Sequence, residues 1–311
     1  MAGLYGGLST SAVKTAIDSV FVTEFTKPAG TWMGDVTDPL LWQQKTTDRG
    51  AVITEQYQGP GYFEERAERE DLSEGTPRIG NQKTSTVVNY SKVVPISKNL
   101  FDDDMHDLVQ TMMKDMGRVA RITRQKKAFA RYSGGFATYT TNDAAYAFSN
   151  SHTTLSGLTV DNLETGVLSV ANLESGITSL IDQKTQDGTL GGHQPGALLV
   201  PTALLKEALE ITKSELISNS GNNAINYYSY AYPGLQVRYS QFLGANFGGS
   251  DTAWFLTSAD HGFCRYERQG IQTWLTPPEN SPNLDYNYKA EYREVYDTIS
   301  WEGLVGSNGT V

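Results

Sequence analysis

The 311 residues carry a formal net charge of −10, from 35 acidic and 25 basic residues, and 39% of them are hydrophobic. This composition is typical of a globular protein, and no apolar run approaches the ~20 residues that a membrane helix needs. The acidic balance argues against binding of nucleic acid through a basic patch. Cys264 is the only cysteine, so no disulfide can form within the chain, which fits a reducing cytoplasm.

The first 49 residues are predicted to form an amphipathic helix followed by an irregular arm. Ser9 or Thr10 can cap the helix. Its apolar side is formed by Val13, Ala16, Ile17, Val20 and Phe21. The arm carries Trp32 and Trp42 between glycine and proline breaks, without a regular period. Such large side chains need a surface to pack on, and both their own domain and another subunit remain open.

Residues 50–95 are predicted to form an extended β-hairpin. Residues 51–57 and 83–94 are rich in side chains that favour strands. The segment between them is too polar to have a core, and its charged residues are Glu64, Glu65, Arg66, Glu68, Arg69, Glu70, Asp71, Glu74 and Arg78. A connection of this length is usually functional or disordered. We therefore expect it to project from the body, either lying over a neighbouring copy or forming a mobile lid.

Residues 99–132 are predicted to form one long helix that acts as a spine. Its apolar positions recur at helical spacing and are Phe101, Met105, Leu108, Met112, Met116, Val119, Thr123 and Ala130. Acidic residues lie at its start and basic residues at its end, as the helix dipole favours. The acids are Asp102, Asp103, Asp104 and Asp107. Capping is the better account of these acids than metal binding or acid–base catalysis. Gly134 and Gly135 are predicted to end the helix.

The second half of the chain predicts a separate α/β lobe. Residues 169–181 have a helical apolar side, and Asp187-Gly188 is a turn signal. Residues 197–200 form a short apolar run typical of a buried strand, and residues 202–214 form an amphipathic helix. Residues 218–234 are predicted to form a surface loop rich in turn residues and tyrosine.

No catalytic signature is present in the sequence. There is no Gly-x-Ser-x-Gly elbow, phosphate loop, His-Glu-x-x-His motif or dinucleotide glycine pattern. The four histidines are scattered, at His106, His152, His193 and His261. Glu64, Glu65 and Glu68 would be solvated on a projecting loop and keep ordinary acidity. We therefore predict no catalytic residue, metal site or cofactor.

The order of these parts resembles that of the major capsid proteins of tailed bacteriophages, which have the HK97-type fold. The hairpin tip Glu74-Gly75-Thr76-Pro77-Arg78 is similar to the Glu-Gly-x-x-Pro turn often found in that family. Downstream, a helix, an Asp-Gly turn, a strand that ends in Val200-Pro201 and a second helix follow the family's order. The resemblance covers residues 50–305 and is nearest to Mu-like head proteins.

The resemblance implies an α+β fold with an N-terminal arm, an extended hairpin loop, a spine helix and an α/β axial lobe. The corresponding domains are an arm at 1–49, a hairpin at 50–95, a peripheral domain at 96–155, an axial domain at 156–275, and closing strands at 276–311 that return to the peripheral domain.

The implied function is self-assembly into the hexamers and pentamers of an icosahedral head that encloses double-stranded DNA. Expected partners are other copies of the chain, a separate scaffolding protein, a portal and a decoration protein. The chain would assemble in the host bacterial cytoplasm and reside in the virion, without catalytic activity. Contacts between subunits are expected at Trp32, Trp42, Glu64, Glu65, Arg66, Glu68, Arg69, Glu70, Glu74, Gly75, Pro77 and Arg78.

Two alternatives remain open at this point. One is the shell of an encapsulin-like compartment, which shares the fold. The other is a soluble carbohydrate-binding protein or enzyme, in which tyrosines of the surface loop would stack on a sugar. Those tyrosines are Tyr227, Tyr228, Tyr230 and Tyr232.

Overall fold

The computed structural model describes residues 10–103, 107–215 and 225–310, and it has the mixed helix and strand architecture that was predicted. The arm, the hairpin and the spine contain α1 (Thr10–Phe25), β1 (Gln43–Thr46), β2 (Ala51–Gln58), β3 (Arg78–Thr86), β4 (Val88–Ser97), α2 (Lys98–Asp102) and α3 (Leu108–Ser133). Ser9, Asp104 and His106, which were assigned roles from the sequence, lie outside the described residues.

The second half of the chain is richer in strands than the first. Its elements are β5 (His152–Thr153), β6 (Thr159–Val160), β7 (Leu163–Glu164), α4 (Val170–Ile181), β8 (Pro195–Pro201), α5 (Leu205–Lys213), α6 (Tyr227–Ala231), β9 (Gln236–Ser240), β10 (Trp254–Ser258), β11 (Phe263–Thr276), β12 (Asp285–Thr298) and β13 (Leu304–Ser307). Among the described helices, none is both long and apolar enough to cross a membrane.

Two sheets organise the molecule. The peripheral sheet has the order β1-β11-β12-β4, and the axial sheet has the order β7-β13-β10-β8-β9. Every residue of β10 is buried, because neighbours and helices cover both faces of this central strand. The chain returns to the peripheral sheet at Phe263, ahead of the boundary expected at residue 276, and its last strand β13 lies in the axial sheet.

The two sheets are joined by an aromatic core at the end of α3. Tyr132 packs against Phe263 of the peripheral sheet and Phe255 of the axial sheet, with ring centroids 4.3 and 5.4 Å apart. The Tyr132 hydroxyl donates to the carbonyl of Leu41 in the arm at 2.7 Å. A separate cluster packs α1 on α3 and on β12 through Phe21 and Tyr288. The spine is therefore held by the arm as well as by the sheets.

The predicted single helix over residues 99–132 is wrong at its start. The described residues there form two helices, because Asp107 adopts a left-handed conformation with φ 51° just before α3 begins. Ser97 caps α2 by accepting from the Leu100 amide, and Asp102 pairs with Lys98. Asp107 is the N-cap residue of α3, although its side chain makes no capping hydrogen bond, and no acid lies in the first turn of that helix. Asp102 therefore belongs to α2 and not to the start of the spine.

The predicted second hairpin strand over 83–94 is also divided in the structure. β3 pairs with β2 in the hairpin, whereas β4 pairs with β12 in the peripheral sheet. Val87, between them, is buried and turns the chain from one sheet into the other. In the axial lobe, the predicted helix is confirmed as α4, which Ser169 caps, and the predicted buried strand is confirmed as β8.

Candidate assembly interface

The hairpin stem has an outer face of exposed apolar side chains. Ile53, Tyr57 and Ile79 are each more than half exposed, and Tyr57 lies directly opposite Ile79 in the ladder. The pairing is irregular at Gln56, whose buried side chain accepts from the amide of Asn81. Alternation along a strand sends these residues to one face, so the stem presents an apolar strip that its own chain leaves uncovered.

Residues 62–79 form the tip loop, and every one of them is exposed. Phe63 exposes 103% of its reference area and Leu72 exposes 76%. The local contacts are short-range: the Glu70 carboxylate accepts from the Ala67 amide, and Gly75 lies so close to Pro60 that a side chain there would collide. Within the described chain, no charged side chain of the tip loop forms a salt bridge.

The structure therefore brings the predicted hairpin contacts together on one surface. Ten predicted residues lie in this loop: Glu64, Glu65, Arg66, Glu68, Arg69, Glu70, Glu74, Gly75, Pro77 and Arg78. The apolar members of the same surface, Phe63 and Leu72, were not among the predicted contacts. The sequence did carry a signal for Phe63 and Leu72, because each is a large apolar residue next to charges in a turn-rich segment.

The root of the hairpin is bonded to its own peripheral sheet. Lys83 Nζ donates to Asp297 Oδ1 at 2.6 Å and to the carbonyls of Thr140 and Thr298 at 2.6 and 2.8 Å. The Asp297 side chain is 3% exposed and also accepts from the Ser85 hydroxyl. Because a buried charge is costly unless it is paired, this cluster fixes where the stem leaves the body.

A second attachment joins the start of the tip loop to a turn of the axial lobe. The amide of Leu190 donates to the Tyr62 hydroxyl at 2.8 Å, and Asp187 accepts from the amide of Gly61. Burial would raise the pKa of Asp187, but hydrogen bonds from the Thr185 and Thr189 hydroxyls and from backbone amides lower it to about 2. The hairpin is thus hydrogen-bonded to the predicted Asp-Gly turn of its own chain.

The two tryptophans predicted as contacts are in opposite environments. Trp32 is 39% exposed, at a point where the arm bonds to Tyr239 of β9. Trp42 has no exposed area and packs against Tyr132 and Tyr296, at 5.4 and 5.0 Å. Trp42 belongs to the core of its own domain and has no surface to offer a neighbouring copy, which corrects its expected role.

The four tyrosines of the alternative sugar-stacking hypothesis differ in exposure. Tyr228 is 4% exposed in the axial core, and its hydroxyl donates to the Val170 carbonyl. Tyr227 and Tyr230 are exposed on the short helix α6, and Tyr232 is half-buried. The ring of Tyr227 packs against the rings of Tyr228 and Tyr232, at 5.7 and 6.2 Å between centroids. Because Tyr228 is buried, the four rings do not form one exposed platform.

His152 makes contacts within its own subunit. The ring of His152 is buried against Trp301, with Nδ1 2.7 Å from Asp143 and Nε2 3.1 Å from Asn162. Burial opposes the ionisation of Asp143, but the hydrogen bonds from His152 and Thr141 lower its pKa. Among the residues that the structure describes, no three histidine, cysteine, aspartate or glutamate side chains meet in a way that could hold a metal ion.

The architecture is that of a shell-forming protein with the HK97-type fold. The family model of the phage capsid protein family matches residues 81–306, and the chain belongs to this family. It is a structural major capsid protein, a subunit of a phage shell, and its location is the virion. The family match favours this class over the encapsulin-like alternative.

Solved structures agree with this fold at low sequence identity. The virus-like particle from Pyrococcus furiosus is 8% identical, with a TM-score of 0.55 over 94% of this chain and 98% of that chain. The mature capsid of bacteriophage PhiM1 is 12% identical, with a TM-score of 0.54 over 90% and 88%. The cyanophage P-SCSP1u capsid is 8% identical, with a TM-score of 0.55 over 91% and 90%. No curated protein sequence matches the chain.

Proposed function

We propose that copies of this chain form the hexamers and pentamers of an icosahedral head that encloses double-stranded DNA, with the hairpin as the element that joins neighbouring subunits. The observation that carries the proposal is the contrast within the hairpin. Its root is bonded to its own sheet through Lys83, whereas its tip loop exposes apolar and charged side chains without ion-pair partners in the described chain.

The chemistry of the tip suits contact with another protein surface. Exposed Phe63 and Leu72 can supply apolar area on binding, and the surrounding charges can select and orient the partner. Each contact can be modest, because a subunit held at several places gains through effective concentration. Trp32 in the arm offers a second contact of this kind.

The net charge of −10 suits a shell that encloses DNA without binding it tightly. A separate scaffolding protein would guide assembly, a portal would occupy one vertex, and a decoration protein could bind outside. Assembly would take place in the cytoplasm of the host bacterium.

The test is expression of the wild-type chain with its scaffolding protein, followed by light scattering and negative-stain imaging. We expect closed particles from the wild type. A variant in which residues 62–77 are replaced by a short glycine-rich turn should remain folded and yield only monomers or small rings.

The matched control carries Tyr227→Ala and Tyr230→Ala, which remove two exposed aromatic side chains from a different loop and should leave particle yield unchanged. Normal particles from the hairpin variant would refute the role of the hairpin. A wild-type chain that stays monomeric with scaffold present would refute the shell proposal itself.

A further inference from the structure

An apolar slot lies between the spine helix and the peripheral sheet. It opens among Tyr90 of β4, Ile271 of β11, and Val119, Ala120 and Thr123 of α3, and these five residues define the slot. Met116, Ala290 and Tyr292 form its buried floor. Its volume is about 310 Å³, and a cavity of about 150 Å³ is enough to hold a benzene ring.

The rim of the slot is positively charged. Lys92 lines the opening, is exposed, and forms no salt bridge with any described residue. Lys126 and Lys127 are exposed and follow Thr123 by three and four positions, so they lie one helical turn further along α3. A side chain with an apolar ring would fit the slot, and acidic residues next to it would pair with the lysines of the rim.

The same chain carries a side chain of that description. Phe63 is the fully exposed aromatic of the tip loop, and Glu64 and Glu65 follow it directly. In its own subunit the Phe63 ring is entirely in solvent, so it does not occupy its own slot. The neighbouring Tyr62 accepts from the amide of Leu190 in the axial lobe, which holds the start of the loop in place beside Phe63.

We propose that the slot of one subunit receives Phe63 of a neighbouring copy, with Glu64 and Glu65 facing Lys92 at the rim. This inference rests on the proposed function and names the two surfaces that meet. Burial of one aromatic ring in a preformed apolar slot gives the contact its strength, and the charges set its orientation. Truncation of Phe63 to alanine should weaken the contact between subunits by more than about tenfold.

Cross-linking in assembled particles tests this pairing. An Arg66→Cys, Val119→Cys variant keeps Phe63 in place and carries one thiol on each surface. Native Cys264 is buried at 2% exposure, so it adds little background. Treatment of particles with a short bis-maleimide should give a ladder of covalently joined subunits on a denaturing gel.

The control uses the opposite face of the same sheet. Trp274 is 44% exposed, and it follows Thr273, which accepts from Lys14 of α1, so alternation directs Trp274 away from α1 and the slot. An Arg66→Cys, Trp274→Cys variant, which also keeps Phe63, should give no ladder. A ladder from this control alone, or intact particles with no ladder from the first variant, would overturn the slot while leaving the shell proposal standing.

A charge reversal gives a second readout. Lys92→Glu should lower the yield of the Arg66→Cys, Val119→Cys ladder severalfold, and Glu64→Lys with Glu65→Lys in the same chain should restore it. A purely structural role of Lys92 would not be rescued from the tip of another subunit. Absence of particles from the wild type would instead refute the proposed function.

Discussion

The root and the tip of the hairpin differ in almost every physical respect although only a short stem separates them. At the root, Lys83 gives three hydrogen bonds to its own subunit, and its partner Asp297 is nearly inaccessible. At the tip, residues 62–79 are all exposed, and Phe63 has no apolar cover. The difference indicates that contacts within the subunit set the direction of the hairpin. The exposed surface of its tip remains available for contact with a neighbouring subunit.

The two arm tryptophans repeat this contrast. Trp42 is enclosed by aromatic rings of three other elements, whereas Trp32 keeps more than a third of its surface exposed. If the contrast is sound, substitutions at the buried positions should affect folding of the isolated subunit. Substitutions at the exposed positions should affect assembly only.

The largest effect is expected from Trp42→Ala. The change leaves a cavity in a core that cannot collapse easily, and it should lower the free energy of unfolding by about 4 kcal/mol. Trp32→Ala is the matched control and should cost less than about 1 kcal/mol. Urea unfolding of the isolated subunits measures both. Similar losses at the two positions would break the distinction between core and surface.

Lys83→Met should have the next largest effect on subunit stability. The substitution leaves the Asp297 charge buried without its cation, so we expect a loss of about 3 kcal/mol in the free energy of unfolding. Lys92→Met removes an exposed lysine and should stay within about 0.5 kcal/mol of wild type.

A double-mutant cycle with Asp297→Asn sharpens this test. Because Lys83 and Asp297 are in contact, the double variant should lose less than the sum of the two single losses. Additive losses would mean that the ion pair does not hold the root.

The pH dependence of stability at Glu302 tests whether the hairpin root is buried. With Gln56 and Tyr57 of the stem, it lines a cavity of about 230 Å³. Burial, together with the nearby charges of Asp260 and Asp187, raises the pKa of Glu302 from 4.5 to about 7, against a hydrogen bond from the Gln186 backbone.

The folded state therefore binds a proton more tightly than the unfolded state at Glu302. Its contribution to stability is present below pH 4.5, is lost as the pH rises to 7, and stays lost above. The loss should be about 2 to 3 kcal/mol over this window. Unfolding measured at pH 5, 7 and 8.5 should show this decline in the wild type and a weaker one in Glu302→Gln. Glu64→Gln at the exposed tip should leave the wild-type profile unchanged.

The smallest effect on the subunit is expected from Phe63→Ala. Its ring packs on nothing in its own chain, so the free energy of unfolding should change by less than about 0.5 kcal/mol. Particle yield, measured by sedimentation of co-expressed scaffold and shell, should nevertheless fall. A large loss of subunit stability would show that the ring is packed within the subunit and would remove the basis of the comparison.

Much of the local structure could be predicted from the sequence. The period of apolar residues located α1, α4 and most of α3, because one buried face requires that spacing. The polar segment between two strand patterns predicted a loop without a core, and the structure exposes every residue from 62 to 79 within it. These features depend on residues that are close in the sequence, so a sequence pattern can predict them.

The sequence alone did not determine which distant residues meet. Trp32 and Trp42 lie in similar local settings, and only the packing of Tyr132, Phe263 and Tyr296 separates their environments. Lys83 appeared as one more charge on a strand, yet the tertiary fold pairs it with a buried aspartate 214 positions away. Burial and pairing are properties of the assembled sheets, so only the tertiary structure decided which side chains hold the subunit together and which remain for a neighbour.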